Sequence, residues 1–138
     1  MIKELATAIY NKYNTLTISG SALSSVAPLY YAIAPDKADY PFTSYYIMES
    51  DAFVFDTCSD LYEFSFQFST FDSGTSPIQV MEIVDVINSG FSGTTLTSIG
   101  SGNVLITIDP RRVAILEPEN EDGHQGVTEL TVSVQKTR

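Results

Sequence analysis

In the segment DLYEFSFQFSTFDSG, Tyr62, Phe64, Phe66 and Phe68 fall at every second position, with Leu61, Glu63, Ser65, Gln67 and Ser69 around them. A β-strand points successive side chains to opposite faces, so this alternation predicts a strand with one aromatic face and one largely polar face. The same period returns in VTELTVSVQK, where Leu130, Val132 and Val134 alternate with Glu129, Thr131, Ser133 and Gln135. FTSYYIMES reads as a further strand from its aromatic and β-branched content, and AFVFDT either continues it or forms a separate short one. LYYAIAP predicts a short strand stopped at Pro35, while NVLITI and RRVAILE form two strands or one bent at Asp109-Pro110.

Two segments switch to helical spacing. Ile2, Leu5, Ala6, Ile9 and Tyr13 line one side of an amphipathic helix running to about Asn14, with Lys3, Glu4, Thr7 and Asn11 on the other. SPIQVMEIVDVINSG predicts the second helix, with Ser76 as N-cap, Pro77 at the first helical position and Gln79 at capping-box spacing. Gln79, Glu82, Asp85 and Asn88 make its polar stripe, Ile78, Met81, Ile83, Val84 and Ile87 are expected to be buried, and Gly90 to stop it. TISGSALSSVAP reads as a loop with one helical turn at Ala22 to Val26, and PDKADYP, GFSGTTLTSIGSGN and EPENEDGHQG as connections. The expected fold is α+β: one domain over residues 1–138, a mostly antiparallel sheet with two helices packed on one face.

Composition narrows the function classes. A chain of 138 residues with 43% apolar content, eight Phe and eight Tyr is globular rather than disordered. One cysteine, Cys58, gives no internal disulfide and fits a reducing compartment. No apolar run reaches the roughly 20 residues of a membrane span, and MIKELATAIYNKYN lacks the uninterrupted apolar segment of a signal peptide. The expectation is a soluble, intracellular chain. Net charge is −10, with no Lys or Arg between Ala38 and Pro110. Solubility accounts for such a surface, and it disfavours tight nucleic-acid binding, which depends on cations neutralising phosphates.

Catalytic and metal signals are weak. His124, the one histidine, lies in EDGHQG without a Ser or Cys nucleophile beside it and reads as a surface-loop residue. Cys58 has Asp56 and Asp60 near it, which disfavour a thiolate. Glu117, Glu119, Glu121 and Asp122 do not fall into calcium-loop spacing, and Gly100 to Gly102 lack the lysine and helix of a phosphate loop. No catalytic residue, metal site or cofactor is expected.

The aromatic row has two readings. Exposed rings stack single-stranded bases when a cationic groove accompanies them, but the charges here are Asp60, Glu63 and Asp72. Burying each ring stabilises by roughly 1.5–3 kcal/mol, so the row is assigned to the core. That leaves the polar face, with Glu63, Ser65, Gln67 and Ser69 on one strand and Glu129, Thr131 and Ser133 on the other, to meet solvent or a partner chain.

The order of these elements resembles a known family. The N-terminal helix, PLYYAIAPDKADYPFTSYYIME, DLYEFSFQFSTFDSGTSPIQVMEIVDVINSGFSG and RVAILEPENEDGHQGVTELTVSVQ together resemble the tail terminator or tail-completion proteins of tailed bacteriophages. The likeness spans nearly the whole chain and rests on element type and order rather than on a catalytic signature. It implies a tail-terminator-like fold and a non-enzymatic virion protein at the tail–neck junction, assembled in the host cytoplasm. It further implies a homo-hexameric ring that caps the tail tube protein and meets a head–tail connector or stopper, with DNA passing through without sequence-specific binding. The residues of the polar face, Glu63, Ser65, Gln67, Ser69, Glu129, Thr131 and Ser133, are then candidates for the pore or an inter-subunit face. A head-completion or neck adaptor role in the same particle, and a small ligand-binding α+β domain, are the alternatives.

Overall fold

The computed structural model describes residues 2–32, 40–54, 59–73, 77–92, 103–116 and 123–137. The alternating aromatic stretch forms a 14-residue strand at the centre of the main sheet. In chain order the elements are helix α1 (Ile2–Tyr13), strands β1 (Thr17–Ile18) and β2 (Ser21–Ala22), the helical turn α2 (Leu23–Val26), strands β3 (Leu29–Tyr31), β4 (Phe42–Val54) and β5 (Ser59–Asp72), helix α3 (Ile78–Phe91), and strands β6 (Asn103–Leu116) and β7 (His124–Thr137). The main sheet has the order β3-β4-β5-β7-β6, and β1 and β2 form a separate two-stranded hairpin. Every pairing is antiparallel except the short parallel contact of β3 with β4, which gives the α+β class that the patterning predicts.

Register explains why the alternation is so strict. Phe64, Phe66 and Phe68 lie opposite Val132, Leu130 and Thr128 of β7, while Phe66 and Phe68 also face Ile47 and Tyr45 of β4. These positions are buried together with Leu5, Ile9 and Tyr13 of α1 and Ile83, Ile87 and Phe91 of α3. Both long helices therefore sit on the aromatic side of the sheet. α3 is held there by Phe91, whose ring centroid is 5.1 Å from that of Phe68. α1 is fixed by Tyr45, whose hydroxyl donates to the Ala6 carbonyl at 2.9 Å. Tyr62, at the far end of the row, is only half-buried against this core.

One buried polar cluster locks α1 onto β4. The Tyr13 hydroxyl donates to the Ala27 carbonyl at 2.6 Å and lies 3.1 Å from the Thr43 hydroxyl. Thr43 in turn lies 3.1 Å from the Thr70 hydroxyl. Burial pushes the Tyr13 phenol from 10.0 up to about 12, with Thr43 opposing the rise, and burial likewise raises Tyr45 to about 12. A raised folded-state pKa means the native chain holds its proton longer than the unfolded chain. The stability is then complete below pH 10 and is lost as pH climbs through 12. At the buried Tyr13, two pH units correspond to roughly 2.7 kcal/mol. A Tyr13→Phe variant is expected to unfold more easily at neutral pH by about 1–3 kcal/mol, since it strands the Ala27 carbonyl. Its stability should also fall less steeply than wild type between pH 10 and pH 12, as followed by urea denaturation.

The structure decides two alternatives that the sequence left open and departs from it elsewhere. AFVFDT does not start a new strand before Val54, because β4 runs unbroken from Phe42 with a bulge between Ile47 and Glu49. NVLITI and RRVAILE also form one strand, β6, with register shifts at Leu105/Thr107 and Pro110/Arg112. Pro110 has no N–H to donate, which an outermost strand tolerates. TISGSA, expected as loop, makes the β1–β2 hairpin, with Ser19 (φ 49°) and Gly20 (φ 83°) both left-handed at the turn.

The second helix differs in three ways. It starts one residue later than expected, with Pro77 at the N-cap position and its carbonyl accepting from the Met81 N–H at 3.0 Å. Ser76 lies outside the described residues. Gly90 is inside the helix rather than past its end, and the absence of a side chain there makes room for Leu16, whose Cδ2 would lie 2.5 Å from a Cβ. Ile78 and Met81, assigned to the core, are 61% and 42% exposed, and Val80 and Phe91 take their place inside.

Candidate functional site

Among the described residues no helix lies on the opposite face of the sheet, and the residues singled out from sequence meet on it. β5 and β7 align Glu63 with Ser133, Ser65 with Thr131, and Gln67 with Glu129. Ser69 continues the row opposite Val127. All seven candidates thus occupy one contiguous patch across the two central strands, because antiparallel pairing with period-2 alternation keeps equal parity on one side.

The patch is drier than a plain solvent face. Ser69 and Ser133 are buried, while Glu63, Ser65, Gln67, Glu129 and Thr131 are half-buried. Short serines lie between longer neighbours, and the Gln67 amide donates to the Ser69 hydroxyl at 3.1 Å. At the β6 side, Arg112 reaches Glu129 at 3.7 Å, with the guanidinium largely exposed. Such a pair contributes about 0–1 kcal/mol, so Arg112→Ala is expected to change the unfolding free energy by less than about 1 kcal/mol. Beside it the Thr107 hydroxyl donates to the Asp109 carboxylate at 3.1 Å.

The sequence reading missed one end of this face. Phe42 packs on Phe71 with centroids 5.3 Å apart, on Tyr40 at 5.2 Å and edge-on against Tyr30 at 6.2 Å. The signal was present, because Phe71 shares the parity of Gln67 and Ser69. The aromatic row drew attention to the other parity instead. The open face therefore grades from an aromatic end at Tyr30, Tyr40, Phe42 and Phe71 to a polar, acid-bearing centre.

The other candidates for chemistry stay dispersed. His124 is not a loop residue but the first residue of β7, half-buried and in register with the buried Asp72. The strand begins earlier than VTELTVSVQK suggested, directly after Gly123, whose φ of 114° and closeness to the Asp72 carbonyl leave no room for a side chain. Cys58, the acidic segment from Glu117 to Asp122 and Gly100 to Gly102 lie outside the described residues. Among the described residues no group of three or more His, Cys, Asp or Glu side chains is placed to hold a metal ion. Nor is any helix there long and apolar enough to cross a membrane.

No protein-family model and no curated protein matches the sequence. Among solved structures, the chain is similar to one in the virion of a native gene transfer agent particle, with a TM-score of 0.76 and 15% identity. The match covers 96% of this chain and 96% of that one. At that identity the likeness establishes a shared fold across the full length of both chains.

Proposed function

We propose that this chain is a structural virion protein of a tailed phage or phage-like particle, acting as a tail terminator. In this reading it forms a hexameric ring that closes the tail tube, joins it to the head connector or stopper and lets DNA pass through its lumen. The role is assembly rather than catalysis. The observation that carries it is the end-to-end match to a virion chain, 96% of each at TM-score 0.76. The element order and the resemblance drawn from sequence point the same way.

The open sheet face fits the lumen of such a ring. Glu63, Glu129 and Asp109 outnumber Arg112 on it, and an acidic wall repels phosphates so that DNA slides rather than sticks. Light scattering and negative-stain microscopy of the purified protein test the ring. Assemblies of about six copies with a central hole are expected, and a protein that stays monomeric both alone and on tail tubes contradicts it. Binding to isolated heads but not to tubes would favour the neck-adaptor role instead. Replacing both glutamates (Glu63→Lys with Glu129→Lys) is expected to convert the ring into one that retains DNA, with affinity falling steeply as salt rises. Rings of the double variant that still retain none would remove this face from the lumen.

A further inference from the structure

Two surface features lie apart from the open sheet face, one beside α1 at the β3 edge and the other on the outside of α3, over β5, β7 and β6. The first is a groove of about 580 Å³ lined by Lys3, Ala6, Thr7 and Tyr10 of α1 with Tyr31 and Tyr45. It lies along the β3 edge of the sheet. The Tyr31 ring stands 5.2 Å from that of Tyr45, edge to face, and Tyr31 is 53% and Tyr10 42% exposed. The groove is thus an apolar, aromatic depression with one cation, Lys3, on its rim.

The second feature is convex. α3 packs over β5, β7 and β6, and its outer side presents Ile78 and Met81, three residues apart on one face, beside exposed Glu82 and Asp85. An amphipathic helix offering anchors at i and i+3 is the shape that inserts into an apolar groove. The two surfaces are also complementary in charge, a cation on the concave rim and carboxylates on the convex stripe.

We infer that the α1–β3 groove of one subunit receives the outer stripe of α3 from a second copy of this chain. Met81 and Ile78 enter between Tyr10 and Tyr31, and Lys3 faces Glu82 or Asp85. Because the two patches differ, the contact is heterologous and repeats head to tail, as a ring of subunits requires. The inference rests on the ring reading and names the surfaces that build it.

Complementary variants test it. Tyr31→Glu damages only the groove and Met81→Glu only the stripe. Both positions are exposed, so both proteins should keep the wild-type circular dichroism spectrum and melting behaviour. Each alone is expected to lose higher assembly, with association weakened about tenfold or more. Mixed together, they retain one intact groove and one intact stripe between them and should form a 1:1 dimer that grows no further. Lys3→Glu should weaken assembly and be rescued by Glu82→Lys in the same chain. Folded variants that assemble like wild type overturn this interface while leaving the ring intact, and a wild type that never associates overturns both.

Discussion

Phe68→Ala is expected to lower the unfolding free energy by about 3–5 kcal/mol, a large fraction of what holds a domain of this size together. Phe68 is 0% exposed. Its ring meets Tyr13 of α1 at 6.4 Å, Tyr45 of β4 at 5.7 Å and Phe91 of α3 at 5.1 Å. Truncation therefore opens a cavity where both helices and the sheet converge, and no single element can move to fill it. The cost combines lost burial with the unfilled space. Chemical denaturation monitored by circular dichroism reads it directly. A loss below about 1 kcal/mol would mean that this ring is not where the two layers join. Truncating Phe71, two strand positions from Ser69 on the open face and only half-buried, should cost distinctly less.

Gly126→Leu should also destabilise, by the opposite route. Gly126 lies opposite Thr70 on β5 and Ile115 on β6, on the side covered by α3. A Cβ there would collide with Val84 and come within 2.7 Å of Val80, both buried. The bare backbone is what lets the first half of α3 lie close on β7. A leucine must lift that helix, and overpacking of this kind costs about 1–3 kcal/mol, occasionally more. The same displacement would move Met81 and Glu82 relative to the rest of the subunit, so assembly should suffer beyond the stability loss. A variant with unchanged midpoint and unchanged assembly would show that α3 does not rest on this glycine.

The sequence revealed most of the sheet because a strand with one dry face writes its parity into the residue order. Phe64, Phe66 and Phe68 and the matching Leu130, Val132 and Val134 are buried as the alternation required. Their register then assembled the candidate face without further information. Long-range pairing was less legible. Nothing local distinguishes a bulge at Ile47/Glu49 or Pro110/Arg112 from a strand end, since only a partner strand decides it. The α3 outer stripe was misread for a related reason. Ile78 and Met81 carry the same apolar signal as Ile83 and Ile87, and a helix with so many apolar positions leaves its buried side ambiguous until the sheet beneath it is known. Gly90 was taken as a stop because its role depends on Leu16, a residue distant in sequence. Apolar residues left outside by the fold, rather than those it buries, are the basis for the proposed subunit contact.

Location in the particle tests the central claim most directly. Electron microscopy of the particles that carry this protein, labelled with a gold-conjugated antibody against it, should place the label at the junction of tail and head, and tails lacking the protein should fail to join heads. Intact, head-joined particles devoid of the protein would contradict the account.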